Sequence, residues 1–382
     1  MNRKPKLLRV TTSDVSLDTL IKGQMKFLSS EFEVVGVSNN TGLLQKVAER
    51  EGIRVVEIPM HREISLVADV KCLWMLYRLF RKEKPEIVHA NTPKGSLLSM
   101  VASWAARIPN RVYTVTGLRY QGASGMFKAL LMGMEKLTCR FATKVIPEGQ
   151  GVLKALQEDH ITNKPLKVIL NGNINGIDTT YFSKEAVGTS REDIRKALKL
   201  LPEDFTFIFV GRIVKDKGMN ELAECMKLLA GKCKLILVGS FESEVDSLTE
   251  GKEAFLRTSE DVKFVGWQKD VRPYLAASDA LVFPSYREGF PNVVMQAGAM
   301  GLPSIVTDIN GCNEIIEDRT NGIIIPSRNQ EALLNAMQYF LTDKVAIQQM
   351  ASCARKMIQD RYEQQQVWEA LLAEYKNLLH KK

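Results

Sequence analysis

Short apolar runs rich in Val and Ile alternate with longer amphipathic runs along this chain, and they do so in two series. The first series is LLRVTT (7–12), FEVVGVS (32–38), RVVEIPM (54–60), EIVHA (86–90), RVYTVTG (111–117), KVIP (144–147) and KVILNG (167–172). The second restarts with FTFIFVGR (205–212) and runs through KLILVGS (234–240), VKFVGW (262–267), ALVFPS (280–285), PSIVTD (303–308) and GIIIP (322–326). A strand that is apolar along its whole length, not at every second residue, has both faces covered. Helical runs between such strands indicate parallel sheets under helices on both sides. The pattern predicts an α/β chain of two Rossmann-like, doubly wound parallel-sheet domains in tandem, facing each other across a cleft.

Between the two series lies LNGNINGIDTTYFSKEAVGTSREDIRK, whose Asn and Gly cluster at 171–176 reads as a turn-rich linker. A helix should begin near Ser190, with Asp193 in its first turn. The boundary is expected near residue 185, giving domains 1–185 and 186–360 and a tail 361–382. In that tail Val367, Leu371, Leu372, Tyr375, Leu378 and Leu379 recur at helical spacing. It is an amphipathic helix with packing as its default role, able to cross back to the first domain.

The chain has 382 residues, enough for two cores. Its formal charge of +8 is uneven. Residues 1–170 hold 26 Lys and Arg against 15 Asp and Glu, and the remainder 26 against 29. A basic first half could meet nucleic acid, an anionic membrane or a phosphorylated acceptor. No nucleic-acid-binding signature stands out, which leaves an ordinary solvated surface or a membrane or lipid-phosphate role. Six scattered cysteines without a CxxC pair fit a reducing compartment and argue against zinc or a disulfide framework. The basic start lacks the apolar core of a signal peptide, and the longest mostly apolar stretch, 96–108, is too short to span a bilayer. The expected location is the cytoplasm, with peripheral attachment at the inner face of the plasma membrane as an extension.

Two stretches carry chemistry. In FVGRIVKDKG (209–218) Gly211 allows a tight exit from a strand, and Arg212 and Lys217 then project near a helix start. Backbone N–H groups and the helix dipole already favour an anion there. Two cations beside a helix end can stabilise a departing nucleoside diphosphate without a metal. The plainer reading of this motif alone is a surface Arg and Lys after a strand. In SYREGFPNVVMQAGAMGLP (285–303) Glu288 precedes Gly289 and Phe290, Pro291 opens a helix, and Gln296 lies further along it. Glu288 can accept hydrogen bonds from sugar hydroxyls and Gln296 can reach a ribose. The plainer reading is an acid satisfying the helix dipole and a Gln on a solvent face. The absence of GxGxxG and a Walker loop argues against a redox Rossmann enzyme and a P-loop enzyme. The four histidines show no ligand spacing, and His89, at a strand end, reads as structural. The stretch 124–144, with Lys128, Lys136, Arg140 and Lys144 among apolar clusters, reads as a helix packed on its sheet, with an anionic membrane as the alternative. Arg78, Arg81, Lys82 and Lys84 add to a basic surface.

The pairing of GRIVKDKG with EGFPNVVMQAGAMGLP and the following SIVTDINGCNEII resembles the retaining glycosyltransferases of family 4, with the glycosyltransferase-B fold. SLDTLIKGQMKFL, EIVHANTPKGSLLSM and YTVTGLRYQGASG are similar to the acceptor-side domain of capsule and surface-polysaccharide transferases, so the resemblance covers nearly the whole chain. It implies that Arg212 and Lys217 hold the donor diphosphate, and that Glu288 contacts the donor sugar. Gly211, Gly289, Phe290, Pro291 and Asn292 would line the donor site, Gln296 would bind the ribose, and Lys94, Thr116, Gly117 and Arg119 would face the acceptor. The implied partners are a nucleotide-sugar donor, UDP-linked, and a glycan or polyprenyl-diphosphate-linked acceptor, with no cofactor. No Asp-x-Asp occurs in the chain, in keeping with a metal-independent hexosyltransferase. Two positions depart from the family pattern. Gln296 stands where the pattern has a second Glu, which removes a charge-assisted hydrogen bond worth about 1–3 kcal/mol. Thr116 stands where related sequences often carry His. A degenerate donor site serving a partner transferase, or a sugar-nucleotide epimerase on the same fold, are the competing readings.

Overall fold

The chain folds as two α/β units, and the computed structural model describes residues 3–61, 63–244 and 246–380. One unit comprises Met1–Gly176 with Gln364–Lys382; the other is Ile177–Glu363. Each contains a six-stranded parallel sheet.

In the first unit the strands are β1 (Lys6–Ser13), β2 (Glu33–Asn39), β3 (Arg54–Glu57), β4 (Ile87–Ala90), β5 (Asn110–Val115) and β6 (Lys144–Pro147), in the order β3-β2-β1-β4-β5-β6. β1 is buried at every residue because helices cover both faces. Leu8 and Val10 pack with Leu76, Phe80 and Met100 on one face, and Leu7 packs with Leu17, Ile21 and Leu371 on the other. Helices Leu66–Glu83, Pro93–Ala105 and Gly125–Phe141 follow β3, β4 and β5, so all three begin at the carboxyl edge of the sheet.

The C-terminal helix Gln364–His380 belongs to this unit and buries Val367, Leu371 and Tyr375. Beneath it lies Arg9, a fully buried guanidinium on β1. Arg9 Nη1 donates to the Tyr375 hydroxyl at 2.6 Å and meets Nδ1 of His89, its neighbour in register on β4. Burial and the Arg9 charge hold His89 well below the usual imidazole range, so the ring is neutral. Its Nε2 then donates to Thr114 Oγ1 at 2.8 Å. His89 sits inside β4, not at its end, and is structural.

The second unit holds β7 (Thr206–Val210), β8 (Lys234–Val238), β9 (Val262–Gly266), β10 (Ala280–Phe283), β11 (Ser304–Thr307) and β12 (Gly322–Ile325), in the order β12-β11-β10-β7-β8-β9. The chain winds outward from β7 on one side and from β10 on the other. Their adjacent carboxyl ends therefore form the crevice where doubly wound sheets bind ligands.

Three sequence expectations change. KVILNG (167–172) is not a strand: Leu170 adopts a left-handed φ of 49° and Gly172 N–H bonds back to the Ile169 carbonyl at 3.0 Å. Its apolar character comes from Ile169 packing on the core, not from strand pairing. The division between units falls at Gly176/Ile177, ahead of residue 185. Ile177 N–H bonds to the Tyr362 carbonyl at 2.8 Å, and Arg355 donates to the Thr179 and Phe182 carbonyls at 2.9 Å, which ties 177–182 to the second unit. The tail helix accordingly starts at Gln364, after the separate helix Lys344–Tyr362. The helix expected near Ser190 runs Arg191–Ala197, with Ser190 Oγ accepting from Asp193 N–H at 3.1 Å.

Candidate functional site

The crevice of the second unit is built from the loops after β7 and β10. After β7 the chain passes Gly211 and Arg212 and makes a 3₁₀ turn at Lys215–Lys217. Gly218 separates Lys217 from the following helix, which runs Met219–Leu228. Gly218 has φ +70°, and a Cβ there would lie 2.0 Å from the Pro284 carbonyl oxygen. Only glycine lets this turn close on the loop after β10. That approach is reinforced by Tyr286 N–H donating to the Asp216 carbonyl at 2.9 Å and by an Arg287–Asp216 ion pair at 3.3 Å.

The contact brings two candidate residues together. Lys217 Nζ pairs with Glu288 Oε1, and Ser285 Oγ, fully buried, donates to the same oxygen at 2.8 Å. Both charged side chains are largely shielded from water. Cys312, within electrostatic reach of the pair, is wholly buried, and burial, with the Glu288 charge adding, pushes its thiol well above the usual range. The Cys312 thiol is therefore neutral and not a nucleophile. Gly311, just before it, packs on the loop of Glu288: a Cβ there would lie 2.5 Å from the Gly289 carbonyl oxygen.

Arg212 is not part of this pair. It is 48% exposed and pairs with Glu242 at 3.2 Å. An exposed pair of this kind is worth about 0–1 kcal/mol, so an arriving anion exchanges it at little cost. Phe290 is buried and packs edge-on against Tyr362 with ring centroids 5.5 Å apart, so its side chain anchors the loop. Pro291 is the N-cap, not the first helical residue, and the helix is Asn292–Ala299. The start of this helix supplies backbone N–H groups beside the loop of Glu288 and Gly289. Gln296 lies a turn further along, half-buried, and its amide makes no hydrogen bond among the described residues.

In the first unit Lys94, Thr116, Gly117 and Arg119 all lie at the carboxyl edge, after β4 and β5. Lys94 is buried and pairs with Asp69 at 2.7 Å while donating to the Glu63 carbonyl. Its charge is internally neutralised. Thr116 Oγ1 donates to the Asn91 carbonyl at 2.8 Å. Arg119 is exposed and borders a groove with Pro93, Lys94, Tyr120, Leu131 and Glu135. Burial raises the Glu135 carboxyl to about 7, against the lowering effect of a 2.6 Å hydrogen bond from the Tyr113 hydroxyl. Among the described residues no group of three or more His, Cys, Asp or Glu is placed to hold a metal ion.

Comparison with known proteins interprets this geometry. Residues 18–174 match the family described as Glycosyltransferase Family 4, and residues 204–343 match Glycosyl transferases group 1. The chain is 30% identical over 381 residues to the capsular polysaccharide biosynthesis glycosyltransferase CapM of Staphylococcus aureus, covering 99% of this chain and 98% of the relative. The chain belongs to glycosyltransferase family 4. It is 27% identical over 370 residues to an Escherichia coli UDP-Gal:α-D-GlcNAc-diphosphoundecaprenol α-1,3-galactosyltransferase, covering 92% of each. Anabaena HepE, solved with UDP and glucose, superposes with a TM-score of 0.82 at 20% identity, over 98% of this chain and 100% of that one. The fold of this family 4 glycosyltransferase is the glycosyltransferase-B fold.

Sequence reasoning missed several residues that shape the site. Ser285 touches Glu288 and Cys312 lies within its electrostatic reach, but both look like strand-end and loop residues when read in line. Glu242 follows β8 and meets Arg212 only because β7 and β8 are paired. Tyr286 donates to Glu221 at 2.7 Å, which fixes the loop that carries Glu288.

Proposed function

We propose that this glycosyltransferase moves a hexose from a UDP-sugar to a polyprenyl-diphosphate-linked saccharide, with retention at the anomeric carbon, in the assembly of a surface polysaccharide. The observation that carries the reading is the shielded Lys217–Glu288 pair at the adjoining carboxyl ends of β7 and β10. The relatives support the substrates: CapM is named for capsule synthesis, and the E. coli enzyme for UDP-galactose and an undecaprenol-diphosphate acceptor.

The residues divide the work by charge. As the sugar–phosphate bond breaks, negative charge grows on the departing UDP. Lys217 and Arg212 supply positive charge, and the start of helix Asn292–Ala299 supplies N–H donors. This set performs the role of a divalent cation from the protein itself. Glu288 accepts hydrogen bonds from the sugar hydroxyls and orients the donor. The Gln296 carbonyl accepts from one ribose hydroxyl. With UDP leaving and the acceptor hydroxyl entering on the same face, the anomeric configuration is kept, and the departing phosphate oxygen takes the acceptor proton as the sugar–phosphate bond breaks, so no enzyme base is needed. Thr116, Gly117 and Arg119 of the first unit take the acceptor.

A second reading rests on Gln296 and Thr116, which stand where the family pattern has Glu and often His. In that reading the donor site is disabled and the chain supports a partner transferase. The deciding experiment offers the protein a panel of UDP-hexoses with a short-chain polyprenyl-diphosphate GlcNAc. Formation of an α-linked disaccharide from one donor supports the proposal. A β-linked product removes the retaining mechanism, and no product with any donor removes the transferase reading in favour of the second.

A further inference from the structure

Helices Leu66–Glu83 and Gly125–Phe141 both start at the carboxyl edge of the first unit's sheet, and both leave apolar side chains in water there. On the first, Leu66, Val67 and Val70 are exposed, Val67 at 85%. On the second, Met126, Phe127 and Leu130 are exposed, Met126 at 90%. Scattered single apolar residues on a surface need no explanation, but two neighbouring sets do. They belong together: helix Pro93–Ala105 packs against both helices, and Ile64, just before the first, lines one groove with Leu131 of the second. Val67, Val70 and Trp74 continue as a stripe at helical spacing, with Trp74 exposed and stacked on Tyr77 at 5.5 Å.

Charge identifies what covers this face. Every exposed charged side chain on the two helices is Lys or Arg. The acids are withdrawn: Asp69 is held by Lys94, Glu83 by Lys6 and Arg54, and Glu135 is buried. The loop residue Glu63 is the exception beside them. Two copies meeting through this same face would bring like charges together. An apolar collar ringed by cations and carrying an interfacial Trp fits an anionic lipid surface, where the apolar tips enter the acyl boundary and the cations meet headgroups.

We propose that this face docks the enzyme on an anionic bilayer, with Val67 and Phe127 as inserted anchors and Lys71 and Lys128 as headgroup contacts. The inference deepens the proposed function, since a polyprenyl-linked acceptor lies in a membrane and the groove of Arg119 opens beside the collar.

The test is co-sedimentation of the full chain, without donor or acceptor, with vesicles of phosphatidylcholine alone or containing phosphatidylglycerol. Binding to the anionic vesicles should exceed binding to the neutral ones about tenfold or more and fall as salt is raised. Val67→Glu with Phe127→Glu should weaken it about a hundredfold, from two lost apolar insertions, while unfolding temperature and UDP affinity hold. Lys71→Glu with Lys128→Glu should weaken anionic binding about tenfold or more. Indifference of the natural protein to vesicles overturns the docking surface, as does unchanged binding by both variants. Self-association that the apolar variant abolishes, without vesicle binding, assigns the face to a second copy instead. Transfer to a short-chain acceptor in water with no vesicle binding would sink the docking and keep the function. Vesicle binding without transfer to any acceptor would do the reverse.

Discussion

Neutralising Glu288 should leave UDP binding intact or improved while transfer collapses. In the unliganded protein Glu288 holds Lys217 in an ion pair with both side chains mostly shielded, at 17% and 13% exposure. A diphosphate approaching Lys217 must share it with that carboxylate and is repelled by the carboxylate's charge. Glu288→Gln keeps the shape and the hydrogen bond from Ser285 but removes the charge. Relief of about 1–2 kcal/mol follows for a partly shielded pair, or roughly five- to thirtyfold tighter UDP. Lys217→Met does the opposite: it deletes a charge-assisted contact of about 1.5–3 kcal/mol, and UDP should weaken roughly ten- to 150-fold. Transfer should fall about a hundredfold or more in both variants if, as proposed, Glu288 orients the reacting sugar and Lys217 stabilises its leaving group. The assay is calorimetric titration with UDP beside steady-state transfer. If Glu288→Gln loses UDP as badly as Lys217→Met, Glu288 serves the nucleotide directly and the restraint argument is wrong.

Three further perturbations test the scaffold. Gly218→Ala places a methyl 2.0 Å from the Pro284 carbonyl oxygen at a left-handed φ; the second unit should lose roughly 3 kcal/mol, lowering its unfolding temperature by roughly 6–12 °C in calorimetry. No change would mean the two loops are not held together there. Glu135 has a carboxyl raised to about 7 by burial, from an unfolded value of 4.5. Ionising it in the fold costs nothing below the unfolded value, costs more as pH rises towards 7 and about 3 kcal/mol above that. Glu135→Gln should therefore be more stable than the natural protein at pH 8 and equal to it near pH 4.5; equal stability at both would place an ionised, solvated carboxylate there. Tyr375→Phe strips the buried Arg9 guanidinium of one of its partners and should cost about 1.5–3 kcal/mol, with faster amide exchange in the C-terminal helix. Unchanged exchange would show that apolar packing alone holds that helix.

Most of the strand framework was legible because fully buried parallel strands write themselves as continuous Val and Ile runs. KVILNG failed for the same reason: Val168 and Ile169 are apolar because they pack, and nothing in line shows that Leu170 turns left-handed. The two site motifs were legible as strand-to-helix turns, but their pairing was not. That Lys217 meets Glu288 depends on β7 lying beside β10, a consequence of sheet order. Lys94 shows the limit from the other side. It sits at the right edge of the sheet, yet its charge is taken by Asp69, across a helix packing that spacing does not reveal. The exposed collar was hidden because an amphipathic pattern assigns apolar residues to a core. Only burial shows that Val67 and Met126 face water.

On the proposed function the crevice of the second unit binds a nucleoside diphosphate although Gln296 stands where the family pattern has an acid. Calorimetric titration of the natural protein with UDP and GDP, beside Gln296→Glu, tests it most directly. The natural protein should bind UDP in the micromolar range, tightened roughly ten- to a hundredfold by Gln296→Glu through a charge-assisted bond to the ribose. Binding by Gln296→Glu alone, with none by the natural protein, would contradict it: the site would be shaped for a nucleotide and disabled.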